Sequence, residues 1–386
     1  MVQLKAVAPA ATHEADAVLH GWLERMGAQQ ASDLFLTTGA IPTLKIEGAL
    51  VPISDRPLAP GEVAALAQTV MSREQLKQFE HDRECDLALA VDGIGRFRFN
   101  VYVQRGEVSM VVRHVRSHVP SLEELGLPPV LQRLATLRQG LVLVVGAAGA
   151  GKSTTLAAML DHRNQVLPGH ILTVEDPIEY MLAHRRGIVD QREVGIDTRS
   201  FGDALRHALR EAPDVIMIGE IRDAETMAHA LHYAQTGHLC VSTLHANNAN
   251  QAIERIRHFF APEAQQQILL DLSLNLQAVV GLRLLEGQQG RRVPATEVLL
   301  KTPYVSELIL KGQVDELKST MAKSNEVGMQ TFDQSLHELY RCGHISLQEA
   351  LDHADSRTDL ALRVRLSLGT GAQELRLMST PQRRAA

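Results

Sequence analysis

The chain has 386 residues, of which 45% are apolar and only 4% aromatic, so we expect two or three domains with aliphatic cores. Lysine and arginine total 39 against 45 acidic residues, and the net charge of −6 argues against a dedicated nucleic-acid-binding protein. Cys85, Cys240 and Cys342 form no CxxC pair, and no signal pattern or bilayer-length apolar run is evident. The composition therefore favours a soluble cytoplasmic protein without a zinc site or a disulfide framework.

Residues 1–12 are expected to be flexible, and residues 13–117 to form a small α+β domain. Apolar positions recur every three to four residues in two segments, which predicts helices over Ala15–Gln29 and Gly61–Met71. Strands are predicted over Leu34–Thr37 and Leu44–Ile46. Gly95–Val115 alternates between apolar and polar residues, which predicts two antiparallel strands joined near Gln104–Gly106.

Residues 118–130 are predicted to link this domain to a second one. Ser121 and Glu124 form a capping-box pattern that predicts a short helix. In residues 131–368, helical segments separate apolar runs that do not alternate, which predicts a parallel sheet covered on both faces. The runs are Leu141–Val145, Ile171–Val174, Val215–Ile218 and Leu239–Val241.

The pattern beyond Pro303 predicts helices only. They are expected over Val305–Lys311, Val314–Lys323 and Thr331–Arg341, with Thr331 as the cap of the last one. Residues 369–386 are rich in Gly, Thr, Gln and Arg, and we expect this tail to be disordered.

A glycine-rich segment, Gly146-Ala-Ala-Gly-Ala-Gly151-Lys152-Ser153, follows an apolar strand and precedes a helix. We call these eight residues the phosphate loop. Glycines let successive N–H groups point at one anion, Lys152 adds a charge, and Ser153 offers a hydroxyl to Mg²⁺. The segment therefore predicts ATP or GTP binding, whereas the alternative is a flexible turn. The predicted nucleotide-binding residues are Gly146, Gly149, Ala150, Gly151, Lys152, Ser153 and Thr154.

Three carboxylates cluster at the next predicted strand and after it, in Thr173-Val-Glu175-Asp176-Pro177-Ile-Glu179. Near Mg²⁺, such carboxylates can hold its water ligands or orient an attacking water. The alternative is an acidic helix start that interacts with the helix dipole.

Glu220 ends the apolar strand Val215–Ile218, with Gly219 where a Walker B element usually has Asp. It is predicted to act on the attacking water or on Mg²⁺; the alternative is a structural role. His238 and His245 flank the following strand and are predicted to sense phosphate or couple subunits, although single histidines are more often packing or surface residues.

Phosphoryl transfer needs positive charge at the developing oxyanion, which arginine often supplies from a neighbouring chain. Arg98 and Arg113 lie in adjacent strand-like runs of the small domain and could project from one sheet toward a phosphate. From the pattern alone, the alternative is that both arginines are solvent-exposed surface residues.

Together these motifs resemble those of the secretion and type IV pilus motor ATPases, within the PilT/PilU twitching-motility branch. The resemblance covers nearly the whole chain. The matching segments are Ala31–Leu36, Gly95–Phe99, the phosphate loop, an Asp box (Thr173–Glu179), a Walker B element (Val215–Asp223), a His box (Thr236–His245) and Gly328–Asp333.

The resemblance implies a PAS-like N-terminal α+β domain, a RecA-like α/β motor domain with C-terminal helices, and a ring of six subunits. ATP would be bound with Mg²⁺, and Ser153 and Glu220 would hold the metal ion. Glu220 would be the catalytic glutamate, Asp176 and Glu179 would belong to the Asp box, and His238 and His245 to the His box. Arg98 and Arg113 would reach the γ-phosphate.

Two features indicate the branch. The chain has neither the four-cysteine zinc module nor the additional N-terminal domain of extension and type II secretion ATPases, so it resembles the retraction side. Thr302-Pro303 is followed by Tyr-Val-Ser-Glu-Leu308 instead of the Ala-Ile-Arg-Asn-Leu of PilT-type chains. With Ala157–Asn164 and Gln191–Gly195, this departure makes the chain most similar to the PilU type of accessory retraction ATPase.

The expected function is therefore ATP hydrolysis by a homo-hexamer that drives pilus retraction at an inner-membrane platform protein, with only peripheral membrane contact. An accessory subunit that depends on a second, primary retraction ATPase is the first alternative. A nucleic-acid motor is another, and the acidic charge balance argues against it.

Overall fold

The computed structural model describes residues 9–46, 48–288 and 290–367. Among these residues, no helix is both long and apolar enough to cross a membrane. The chain divides into two compact units. Unit 1 comprises Met1–Val119, Asp176–Leu182 and Arg192–Ser200, and unit 2 comprises the remaining segments.

Unit 1 is built on a six-stranded antiparallel sheet in the order β3-β2-β1-β6-β5-β4. Alternation in β5 turns Phe97, Phe99 and Val101 into the core, where each is at most 1% exposed. The elements are α1 (Pro9–Ala28), β1 (Asp33–Thr37), β2 (Thr43–Ile46), β3 (Ala49–Pro52), α2 (Glu62–Val70), α3 (Arg73–Asp82), β4 (Glu84–Val91), β5 (Gly95–Gln104) and β6 (Glu107–Val115). The predicted pair of alternating strands is confirmed, with Arg105 and Gly106 in the connecting turn.

Unit 2 contains a seven-stranded sheet in the order β13-β12-β7-β11-β10-β8-β9. The pairings from β12 to β8 are parallel, whereas β13 runs antiparallel to β12. Every residue of β7, β10 and β11 is buried, as expected for strands covered on both faces. The strands are β7 (Gly140–Gly146), β8 (His170–Glu175), β9 (Ile188–Glu193), β10 (Val215–Ile218), β11 (Leu239–Leu244), β12 (Leu276–Glu286) and β13 (Arg292–Leu300). The predicted parallel sheet is confirmed.

The helices among the strands of unit 2 are α4 (Val130–Ala135), α5 (Lys152–Val166), α6 (Phe201–Ala208), α7 (Ala224–Gln235), α8 (Ala249–His258) and α9 (Pro262–Asn275). After β13 the described chain is helical, as predicted: α10 (Pro303–Leu310), α11 (Leu317–Lys323), α12 (Phe332–Arg341), α13 (Leu347–Asp352) and α14 (Arg357–Ser367). Thr331 caps α12 through a capping box with Gln334, which confirms its predicted role. The last three helices pack with β12 and β13 in a separate apolar cluster around Phe332, Leu336 and Leu360.

Several boundaries differ from the predicted ones. The first helix begins at Pro9, inside the expected flexible segment 1–12, because proline is tolerated in a first helical turn and alanines follow it. Ser121 and Glu124 make the reciprocal capping hydrogen bonds, at 2.7 and 3.1 Å, but they close a turn rather than a helix. The expected tail 369–386 lies outside the described residues.

Two short segments were predicted to belong to the motor domain, yet they join unit 1. In Asp176–Leu182, the N–H of Met181 donates to the carbonyl of Arg116 at 2.8 Å, which ties the segment to the end of β6. In Arg192–Ser200, the Glu193 side chain lies against arginines of β5. Because these contacts join residues about 65 to 97 positions apart, the local sequence pattern gives no sign of them.

Candidate functional site

The phosphate loop connects the fully buried strand β7 to helix α5. Gly146 is required at the start of the loop, because a Cβ there would lie only 2.7 Å from the carbonyl oxygen of Leu282 on the adjacent strand β12. Gly151 precedes the helix with φ of 93°, in the left-handed region that favours glycine. The two glycines thus bring the chain back from the sheet edge into the first turn of α5.

The start of α5 suits a phosphate group. In the described part of the chain, no side chain caps this helix at Gly151, so its first N–H groups and the positive dipole end are available to an anion. Ser153 is exposed in the first turn, where its hydroxyl can serve as a hard ligand for Mg²⁺. Loop residues 147–150 border an open depression of about 660 Å³. These features fit the triphosphate of a nucleotide with its metal ion.

Lys152 is folded back over the phosphate loop. Its Nζ donates to the carbonyl oxygens of Gly146 and Ala147, both at 2.9 Å, and lies 3.5 Å from Nδ1 of His245. Burial lowers the pKa of Lys152 from its usual value, while the negative charge of Glu220 opposes that shift. The ammonium group is therefore held at the loop, in an environment that favours an anionic ligand.

Glu220 follows β10 and is held on both carboxylate oxygens. Nε2 of His245 lies 3.2 Å from Oε1, and Nε of Arg222 donates to Oε2 at 2.9 Å. The preceding residue is fixed to the sheet, because the carbonyl of Gly219 accepts from the Thr243 hydroxyl at 2.7 Å. Lys152, His245 and Glu220 therefore form one chain of contacts at the carboxyl ends of neighbouring parallel strands, where α/β sheets bind ligands.

His238 does not join this cluster. It precedes β11, whereas His245 follows it, so the six-residue strand separates the two rings by roughly 20 Å. The Nδ1 of His238 lies 3.1 Å from the Thr236 hydroxyl, at the amino end of the strand. Both histidines thus flank the strand as predicted, but only His245 contacts the residues of the phosphate loop.

The acidic segment after β8 is divided between the two units. Glu175 is buried in unit 2, where its Oε1 accepts from the Thr173 hydroxyl at 2.7 Å and from Gln191 at 3.1 Å. Asp176 and Glu179 belong to unit 1, and both side chains are exposed. The first carboxylate therefore has a packing role at the end of β8, and the other two remain open to a ligand.

Arg98 and Arg113 are directly opposite each other on the paired strands β5 and β6. Their placement in one sheet agrees with the prediction. Nε of Arg98 lies 2.8 Å from Glu193, and Nε of Arg113 donates to Asp33 at 3.0 Å. Each guanidinium is therefore paired with a carboxylate of its own unit.

Sequence reasoning missed three charged residues that shape these sites. Arg222 stands two positions after Glu220. An arginine so close to a carboxylate at the end of a strand could have been identified from the sequence as its partner. Glu193 and Glu297 are almost completely buried, but nothing in their local pattern distinguishes them from surface glutamates.

Known proteins resemble this chain in sequence along most of its length. Residues 14–288 match the family described as type II/IV secretion system protein. The chain is 50% identical over 354 residues to the type IV pilus ATPase PilU of Pseudomonas aeruginosa, covering 92% of this chain and 93% of the relative. It is 41% identical to the retraction ATPase PilT of the same organism, over 84% of this chain and 95% of the relative.

Solved structures resemble this chain in fold as well. The crystal structure of the pilus retraction motor PilT with bound ADP superposes with a TM-score of 0.82 at 42% identity, covering 88% of this chain and 98% of that one. The ATPase DotB of Legionella pneumophila superposes with a TM-score of 0.70 at 26% identity, over 87% and 94% of the two chains. The predicted RecA-like core with an N-terminal domain and C-terminal helices is thereby confirmed. The chain belongs to the type II/IV secretion system protein family, as an ATPase of its pilus-motor branch.

Proposed function

We propose that this ATPase hydrolyses ATP with Mg²⁺ to power retraction of a type IV pilus. The observation that carries the proposal is the contact chain from Lys152 through His245 to Glu220 beside an uncapped helix start. The similarity to PilU and PilT supplies the motor context.

Each residue of the site has a proposed task. The N–H groups of Gly149, Ala150 and Gly151 bind the phosphates, Lys152 moves from the loop carbonyls to a phosphate oxygen, and Thr154 supports the same end of α5. Ser153 and Glu220 are the residues that would hold Mg²⁺, directly or through water. When bound, that ion would neutralise charge on the phosphates.

Glu220 is proposed to orient the attacking water and to accept its proton. His245 and Arg222 hold its two carboxylate oxygens in place, so that the basic group is positioned before the nucleotide arrives. Asp176 and Glu179 are proposed as further carboxylates that hold water around the metal. Their exposure in the described structure leaves them free for that task.

Six copies would form a ring in which Arg98 and Arg113 act on the γ-phosphate. His238 would take part in the contacts that couple neighbouring subunits. The ring would act on an inner-membrane pilus platform protein from the cytoplasmic side. A dependent role beside a primary retraction ATPase is the second candidate. The Tyr-Val-Ser-Glu-Leu sequence after Pro303 and the higher identity to PilU than to PilT favour it.

ATP turnover measured against protein concentration, with molecular size followed in parallel, tests the first proposal. Turnover per subunit should rise as rings form, because a neighbour completes the site. Equal turnover by isolated monomers would contradict the ring mechanism. Retraction measured in cells that lack this chain, the primary ATPase or both separates an independent motor from a dependent one.

A further inference from the structure

A buried carboxylate lies behind the loop that carries His245. Glu297 on β13 is 2% exposed, and its Oε1 accepts a hydrogen bond of 2.7 Å from the backbone N–H of Ala249. Ala249 is the first residue of α8. A carboxylate at this position interacts favourably with the positive end of the helix, and a charged acceptor makes a stronger hydrogen bond than a neutral one. Glu297 thus attaches the amino end of α8 to the sheet.

Only four residues, 245–248, connect β11 to α8, and they are held at several points. The N–H of Ala246 donates to Leu244 at 3.1 Å, and the N–H of Asn247 donates to the Gln251 side chain at 3.2 Å. Asn248 caps α8 by accepting from the N–H of Gln251 at 2.9 Å. Because so short a connection cannot absorb a shift of α8, the position of that helix also determines the position of His245.

The surroundings of Glu297 place its titration in the neutral range. Burial, the largest cause, raises its pKa to about 7, and the negative charge of Asp355 also raises it. The hydrogen bond from Ala249 and the positive charges of Arg283 on β12 and Lys318 on α11 lower it. Arg283 and Lys318 are themselves bound to Asp355, at 2.6 and 2.8 Å. A small change of proton concentration therefore alters the charge at the start of α8.

We propose that Glu297 is a positioning residue for ATP hydrolysis, whose ionised carboxylate holds α8 so that His245 stays against Glu220 and Lys152. The inference rests on the proposed function, because it assumes that this cluster hydrolyses ATP. When Glu297 takes up a proton, its hydrogen bond from Ala249 weakens and His245 is held less firmly. Turnover therefore decreases as the pH falls through the titration of Glu297.

The test compares the wild-type chain with Glu297→Gln, which keeps the size and the acceptor oxygen but cannot ionise. Saturating ATP turnover is measured from pH 6 to pH 8.5. At pH 8 we expect kcat of the variant to be about fivefold lower with KM unchanged, and at pH 6 the two rates should converge. Glu263→Gln, at an exposed position in the first turn of α9, is the matched control and should follow the wild type at every pH.

A second measurement uses the double variant with His245→Ala. If Glu297 acts through His245, Glu297→Gln should cause no further loss in that background, because coupled residues are not additive. A constant ratio of wild-type to variant rates across the pH range, or a full additional loss in the double variant, would overturn the inference. A wild-type chain that does not hydrolyse ATP at all would instead overturn the proposed function, so the two failures are distinguishable.

Discussion

Nε of Arg98 lies 2.8 Å from Oε1 of Glu193, whose side chain is completely buried. Arg96 approaches the other oxygen of the same carboxylate at 3.6 Å. The pair connects β5 with the segment Arg192–Ser200, which begins with the last two residues of β9. A phosphate-directed role for Arg98 requires its guanidinium to be shared between this carboxylate and the nucleotide, since the partner already neutralises its charge.

Replacement of Glu193 by Gln should destabilise the chain. The two arginines would lose their buried counter-charge, and since they are 20% and 24% exposed we expect a loss of about 1–3 kcal/mol in the free energy of unfolding. Urea denaturation followed by circular dichroism measures it. Glu84→Gln, at an exposed position on β4, is the control, and equal midpoints for the two variants would show that the ion pairs contribute nothing.

Replacement of Lys152 by Met should weaken nucleotide binding while the fold remains. Because a charge-assisted contact to phosphate is lost, we expect affinity for a fluorescent ATP analogue to fall roughly 10–100-fold. Lys311→Met, which removes an exposed lysine on the surface beside α10, should bind the analogue like the wild type. Unchanged affinity in the Lys152 variant would exclude the phosphate loop as the binding site.

Replacement of His245 by Ala should reduce kcat more than it raises KM. Glu220 would keep Arg222 as a partner on Oε2 but lose the contact on Oε1, so its carboxylate would be less well oriented. We expect turnover to fall roughly 10–100-fold in steady-state ATPase assays. His207→Ala, at an exposed position on α6, is the matched control. A loss confined to KM would show that His245 contributes binding rather than orientation.

Replacement of Gly146 by Ala should destabilise unit 2. The new Cβ would lie 2.7 Å from the carbonyl oxygen of Leu282 and 3.0 Å from the Cβ of Ala150, so that β12 or the phosphate loop must shift. We expect a loss of about 1–3 kcal/mol in the free energy of unfolding, together with weaker ATP binding. Gly21→Ala lies in the interior of α1 with open space around it and should slightly stabilise the chain. Equal melting temperatures for the two variants would contradict the close approach.

Glu297 should also make stability depend on pH. Its pKa is about 7 when folded, against 4.5 as the reference value, so the folded chain binds more protons between these limits. The contribution of this residue to the free energy of unfolding therefore decreases as the pH rises from about 4.5 to about 7, by on the order of 3 kcal/mol. Denaturation of wild type and Glu297→Gln across this range measures the difference. A difference that does not change with pH would contradict the raised pKa.

Local patterns were sufficient for the parts of the chain whose structure depends on neighbouring residues. The alternation in Gly95–Val115 predicted β5 and β6, and the apolar runs predicted the parallel strands. The order of glycines, Lys152 and Ser153 predicted the phosphate loop, because binding a phosphate through backbone N–H groups requires that local geometry. Glu220 and His245 were identified because both follow strands that end at the same edge of the sheet.

The tertiary structure alone decided which distant charges meet. Glu193 pairs with Arg98 from a position 95 residues away, and Glu297 reaches the start of α8 across 48 residues. It also placed β12 against β7, so that Leu282 restricts the first glycine of the phosphate loop. Such contacts arise when strands and helices pack, and the free energy of burying a charge beside its partner is absent from any short stretch of sequence.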